Sequence, residues 1–317
     1  MSFHLTEPIL VIGLGGAGSK LATKASESLH ANCLLISHDE SDFGKERSTI
    51  KISTDSIVNP SMHLIRGSTF QVVDDIRDQI SEYSTIILMA NLAGKAGAAI
   101  SPIVSNICKE DNKNVLSFVI MPFRFEKDRI FNSGTSLKRL RASSDCIIVL
   151  DNDALLDSNP DLTPSACHKI SNAAINNVIS SLKSSSISED TNILSTSKDV
   201  DDIESSLKDS IRMLYEDAPP SSVKRSILYV LGGNNVPVRV LNSVTNIASG
   251  VFNEDNTIIS STISSAQKSK VVMLTSVQGE THFDKYDPLS IIPEDKTLDW
   301  DEPDCSINCE LDLRQLE

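Results

Sequence analysis

Over residues 9–150, short runs dominated by apolar residues alternate with stretches in which apolar positions return every three or four residues. The runs fall at 9–12, 33–36, 50–52, 85–89, 115–121 and 146–150. Most are short, near-continuous apolar runs that include β-branched residues, as strands covered on both faces must be. The patterns between them predict crossover helices over 19–29, 72–81, 98–110 and 133–142. Strand and helix in this rhythm make an α/β fold, a doubly wound and largely parallel sheet, over residues 1–161.

The texture then changes. Thr163-Pro164 is an N-cap followed by the proline best tolerated at a first helical position, and Ala166, Ile170, Ala174, Val178, Ile179 and Leu182 continue the helical period. A long central helix is expected over 162–184. Periodicity is lost at 184–190 and resumes over 199–213 with Ile203, Leu207, Ile211 and Leu214, until Pro219-Pro220 stops it. A loop and helix thus fill 185–223. Residues 224–278 read as a second, smaller α+β domain with its own sheet, built from runs near 227–231, 257–261 and 271–275 around a helix near 240–248.

Charge is unevenly placed. Residues 279–317 hold 12 acidic and 3 basic residues, a net of −9 out of −14 for the chain, and are expected to form a disordered acidic tail. No basic face is announced elsewhere and aromatic residues make up only 4%, so a nucleic-acid partner is not expected. Six cysteines at 33, 108, 146, 167, 305 and 309 form no paired Cys-x-x-Cys blocks and are read as reduced thiols, with Cys305 and Cys309 a weak metal or redox lead. The first basic residue is Lys20 and no apolar stretch is long enough to span a bilayer, so a cytoplasmic protein without direct membrane insertion is expected.

The chemistry begins with Gly13-Leu-Gly15-Gly16-Ala17-Gly18, between the first strand and the first helix. Glycines there let backbone N–H groups close around an anion at the positive end of the helix dipole. Phosphate is the expected ligand. The same residues satisfy G-x-G-x-x-G, and Asp39 stands where a ribose-binding acid of a dinucleotide enzyme would. An NAD(P) site and a purely structural turn therefore remain alternatives at this point.

Further motifs follow in order: Ala90-Asn-Leu-Ala-Gly-Lys-Ala-Gly-Ala-Ala-Ile-Ser-Pro102, Pro122-Phe-Arg-Phe-Glu126 and Asp151-Asn-Asp-Ala-Leu-Leu156. Together with the glycine loop they resemble the FtsZ and tubulin superfamily, prokaryotic FtsZ in particular, collinearly from about Ile9 to Thr275. The resemblance implies GTP or GDP, with Mg²⁺, across the carboxyl ends of the strands. It places Gly13, Gly15, Gly16, Ala17 and Gly18 in the first phosphate loop, with Lys20 either adding charge there or facing solvent. Gly94 and Gly97 survive in a second loop that has lost its other glycines and its threonines. Lys95 stands among the replacements, as a substitute cation or as a surface lysine. The loop expected over 51–67 holds a single glycine, so both phosphate loops are degenerate. Glu126 and Arg129 match the ribose side, or form a charge pair at a helix start. Asn152 and Asn177 match positions that read the base.

The resemblance also assigns Asp199 and Asp202 to a loop that enters the nucleotide pocket of the next subunit and positions the attacking water. Acids three residues apart at a helix start share a face. A helix cap with acids in its first turn is the competing reading. The assignment implies head-to-tail protofilaments through an interface that does not close, with slow or impaired hydrolysis. A nucleotide-independent structural or regulatory role and an NAD(P) enzyme are the alternatives. The tail, with Leu311, Leu313 and Leu316 among acids, is expected either to bind a protein partner or membrane adaptor or to act as an inert solubilising segment.

Overall fold

The computed structural model describes residues 2–44, 47–54, 59–182, 187–189, 191–198, 202–231, 237–252, 257–261 and 270–286. Strand β1 (Ser2–Phe3) precedes β2 (Ile9–Leu14), α1 (Gly15–Leu29), β3 (Asn32–Ser37), β4 (Ser48–Lys51), α2 (Met62–Thr69), α3 (Val73–Ile80) and β5 (Thr85–Asn91). The chain continues with α4 (Lys95–Glu110), β6 (Asn114–Met121), α5 (Lys127–Ser143), β7 (Cys146–Asp151), α6 (Asn152–Ser158) and α7 (Pro164–Ser181). Then follow β8 (Ile187–Ser188), β9 (Thr191–Thr196), α8 (Ile203–Asp217), β10 (Val223–Leu231), α9 (Val238–Phe252), β11 (Thr257–Ser261), β12 (Lys270–Val277) and a 3-10 turn at His282–Tyr286.

One ten-stranded sheet runs β11-β10-β12-β9-β7-β6-β5-β2-β3-β4, parallel from β9 to β4. Alternation along each strand divides the core in two. Leu10, Ile12 and Leu14 of β2 face a layer with Ile76 of α3, Ile100 and Val104 of α4 and Leu207 of α8, while Ile9 and Val11 face Leu21 and Ala25 of α1 and Val178 of α7. Every residue of β2 is buried, as the continuous apolar run requires. The expected mostly parallel α/β fold is the one observed.

Two features depart from the sequence reading. The second module has no separate sheet: β9 inserts between β7 and β12, parallel to the first and antiparallel to the second, and joins all ten strands. Hydrophobic alternation does not show this strand, because it buries Asn192, Ser195 and Thr196. The Asn192 amide donates to the Ser188 carbonyl at 3.0 Å and to Cys146 Sγ at 3.4 Å. In addition, the glycine loop is largely helical. Helix α1 starts at Gly15 and α4 at Lys95, each a turn earlier than the apolar period indicates. Asp199 and residues 287–317 of the acidic tail, with Cys305 and Cys309, lie outside the described residues, whereas the start of the expected disordered tail is ordered as the His282–Tyr286 turn, with Phe283 and Tyr286 buried. Cys33, Cys108, Cys146 and Cys167 are buried cysteines outside any disulfide, and burial pushes Cys108 up to about 12.

Glycines fix how closely the helices approach the sheet. A Cβ on Gly18 would stand 2.2 Å from the Met89 carbonyl oxygen, and one on Gly13 would meet Ser19 and Ala22 at 2.7 and 2.8 Å. Gly67, exposed within α2, has nothing within 4 Å of an added Cβ. Gly18→Ala is therefore expected to push α1 off β5 and cost roughly 1–3 kcal/mol by overpacking. Gly67→Ala should instead gain about 0.5–1 kcal/mol. Urea denaturation of both variants checks the pair, and equal effects would contradict this packing.

Candidate functional site

Strands β2, β3 and β4 follow one another in one direction across the sheet, and β5, β6 and β7 in the other. The chain reverses between β2 and β5. Helices leaving such neighbours diverge to opposite faces and open a crevice at the carboxyl ends, where ligands of open α/β sheets bind. A cleft of about 310 Å³ lies there, lined by Leu14, Gly15, Gly16, Ala17, His38, Asp39, Asp42, Asn59, Asn91, Ala93, Gly94, Lys95, Ala96, Gly97 and Arg129.

Two helix N-termini meet in it. Leu14 and Gly94 are the N-caps of α1 and α4; neither supplies a side-chain cap, and neither helix has an acid in its first turn. The first backbone N–H groups of both helices thus lack intrahelical partners and carry the positive ends of two dipoles. Gly15, at φ +69°, brings the loops together, since its Cβ would stand 2.9 Å from Ala96 Cβ and 3.2 Å from the Gly97 nitrogen. Gly97 lets α4 sit on the end of β5, where a Cβ would fall 2.3 Å from the Asn91 carbonyl oxygen.

Of the residues expected at a nucleotide site, the cleft collects Gly15, Gly16, Ala17, Gly94, Lys95, Gly97 and Arg129. Gly13 and Gly18 lie behind it in the α1 packing, and Lys20 is exposed on α1 outside its lining. Lys95 Nζ donates to Asn59 Oδ1 at 2.9 Å and to the Pro60 carbonyl at 3.4 Å, tying the loop before α2 to the mouth of the cleft. Arg129 forms a 2.6 Å ion pair with Glu126, whose other oxygen accepts the Phe123 N–H at 3.1 Å. Asn152 is buried at the start of α6: its Oδ1 accepts from Ser171 at 2.7 Å and its amide nitrogen lies 3.4 Å from His168 Nδ1. Asn177 is half-buried on α7, outside the lining.

The turn after β3 adds residues that the glycine motifs do not announce. Asp39 caps the 3-10 turn Glu40–Asp42 by accepting the Ser41 N–H at 2.9 Å, and that bond lowers its pKa. The carboxylate of Asp42 lies over Gly16, where a Cβ would stand 2.3 Å from Oδ1, and the buried Ser37 hydroxyl holds it by donating to Oδ2 at 2.6 Å. His38 Nδ1 is buried without a partner. The run Ser37-His-Asp-Glu-Ser-Asp42 at the end of a strand was the available signal, of which only Asp39 stands out by spacing.

Asp202 is elsewhere. It is the N-cap of α8, accepting the Glu204 and Ser205 N–H groups at 3.3 and 3.0 Å and the Ser205 hydroxyl at 2.7 Å, and the bonds from Ser205 chiefly lower its pKa. Because β9 is parallel to β7, with Thr191 beside Ile147, residues after Thr196 leave the sheet at its carboxyl edge. Ser206, hydrogen-bonded to Ser197 and to the Val271 N–H, anchors α8 at that edge. Asp202 lies outside the lining of the cleft. Its carboxylate is committed to capping α8.

Residues 64–160 match the family model described as Tubulin/FtsZ family, GTPase domain. Cell division protein FtsZ 2 of Halobacterium salinarum is 29% identical over 164 residues, covering 49% of this chain and 41% of that protein. FtsZ 2 of Methanocaldococcus jannaschii is 23% identical over 175 residues, covering 53% and 46%. The matched region thus spans less than half the length of these curated relatives. Among solved structures, an empty FtsZ dimer of M. jannaschii superposes with a TM-score of 0.68 at 17% identity, over 86% of this chain and 88% of that one. The GTPγS-bound CetZ2 protofilament of Haloferax volcanii gives 0.65 at 13%, over 88% and 96%. With its crevice at the β2/β5 reversal and its two glycine-bearing helix starts, the chain is FtsZ-like: residues 64–160 match the Tubulin/FtsZ GTPase domain, and the fold is that of the FtsZ and CetZ structures.

Proposed function

We propose that this FtsZ-like chain is a cytoskeletal protein that binds GTP or GDP in the β2/β5 cleft and self-assembles head-to-tail, with no hydrolytic carboxylate supplied by Asp202. The observation that carries the nucleotide reading is the convergence of two uncapped, acid-free helix N-termini at the reversal of strand order. Backbone N–H groups at 15–17 and 95–97 would hold phosphate oxygens, and Lys95 and Arg129 supply the cleft's cationic side chains. No group of three or more His, Cys, Asp or Glu among the described residues is arranged to hold a metal ion, so a bound Mg²⁺ would need ligands from the phosphates. The family match and the relatives named as cell division proteins support guanine over a dinucleotide.

The degenerate loops and the cap role of Asp202 favour weak turnover, which supports the nucleotide-independent form of assembly as the second reading. Sedimentation with GTP, with GDP and without nucleotide separates the two. Pelleting only with guanine nucleotide supports the first reading, and equal pelleting in all three supports the second.

Three substitutions test the site. Lys95→Ala should weaken GDP binding about tenfold, equivalent to about 1.4 kcal/mol, in a fluorescence titration competed with NAD⁺. Displacement by NAD⁺ rather than GTP would contradict the guanine reading. Asp42→Asn removes a like charge from the phosphate loop and is expected to tighten GDP binding by roughly the same factor; a loss of binding would assign Asp42 a ligand-holding role instead. Asp202→Ala should lower thermal stability through loss of the helix cap while leaving phosphate release unchanged. A collapse of turnover at unchanged stability would restore the catalytic reading.

A further inference from the structure

The carboxyl end of β7 buries two acids against each other. Asp151 ends the strand, fully buried, and Asp217 ends α8 at 1% exposure. Asp151 Oδ1 accepts the Asp153 N–H at 2.9 Å. Its Oδ2 and both oxygens of Asp217 have no hydrogen-bond donor, although the two carboxyls lie within hydrogen-bonding reach of each other. The buried hydroxyl of Tyr286, in the 3-10 turn packed beside them, is likewise without a partner.

The surrounding charges do not neutralise the pair. Arg124, from the turn after β6, is engaged by Asp153 at 2.7 Å and by Asp157 at 3.0 Å, both on α6. Asp153 and, from α8 itself, Glu216 add negative charge. From the 3-10 turn come Tyr286 and His282, and burial lowers the pKa of the latter and so favours its neutral form. Two bare carboxylates side by side in such surroundings repel strongly, whereas one proton between them turns the orphaned oxygens into a charge-assisted O–H···O bond.

We propose that Asp151 and Asp217 share a single proton, and that this proton latches the last turn of α8 and the His282–Tyr286 turn onto the carboxyl end of β7. The latch joins the strand that leads into Asn152 to the helix that begins after Asp202. On its far side the turn is held independently, by Arg141 paired to Asp284 at 2.5 Å and to Thr281 at 2.9 Å, and by the buried Phe283. Loss of the proton loosens the Tyr286 side first.

The sign follows from linkage. Burial raises the pKa of both acids, Asp151 to about 7, whereas an unfolded Asp titrates near about 4. Across that window the folded chain holds a proton the unfolded chain has lost, so the pair's contribution to stability falls as pH rises and levels off only once both acids are ionised in the folded chain. Equilibrium denaturation of the full chain and of Asp217→Asn, from about pH 5 to about pH 8, tests this. The folded-to-unfolded ratio of the parent should fall relative to that of the variant by up to about tenfold per pH unit. A parent-to-variant ratio that stays constant with pH would overturn the proposal. If the variant does not fold, hydrogen exchange on the parent serves. Corrected for the intrinsic pH dependence of exchange, amides at 281–286 should lose protection faster with pH than those of β6, and a uniform loss would overturn the proposal.

Discussion

The closeness with which α1 and α4 sit on the ends of β2 and β5 is the constraint on which the rest of this structure depends. Gly18 lets α1 rest on the Met89 carbonyl, Gly97 lets α4 rest on that of Asn91, and Gly15 at positive φ lets the two helix starts touch. None of these contacts admits a side chain. Their result is two positive helix ends aimed into one crevice at the point where strand order reverses. An anion there would be met by backbone N–H groups rather than by the hydroxyls that the second loop lacks.

Electrostatically the cleft is divided. Two dipole ends, Lys95 and Arg129 favour an anion, while Asp39 and Asp42 oppose it, and Arg129 already answers Glu126. Asp42 is the closest opponent, fixed by Ser37 over a glycine whose missing Cβ makes room for it. Such a balance leaves nucleotide affinity sensitive to single charges. The same economy of cations marks the carboxyl end of β7, where Arg124 is engaged by Asp153 and Asp157 and leaves Asp151 and Asp217 to each other.

Much of the fold was legible. The apolar runs at 9–12, 85–89, 115–121 and 146–150 became β2, β5, β6 and β7, because a strand buried on both faces has no choice but to be apolar. The strand β9 was not legible: Asn192, Ser195 and Thr196 are polar, and only their tertiary partners make them interior residues. That one strand joins the two parts of the chain into a single sheet, where the sequence reading gave the second module a sheet of its own. At the cleft, the family resemblance located Gly94, Lys95 and Gly97, and spacing located Gly15 and Gly16. Both missed Asp42, whose importance comes from where a turn folds. Asn152 matched a motif, yet its amide oxygen is committed to Ser171.

The most direct measurement is the response of backbone amide resonances to added GDP in the isotopically labelled chain. Binding as described perturbs the amides of Gly15, Gly16 and Ala17 together with those of Lys95, Ala96 and Gly97, because both helix starts face the same phosphates. Perturbation confined to one loop, perturbation only at residues remote from the β2/β5 reversal, or no perturbation at saturating GDP would contradict the account.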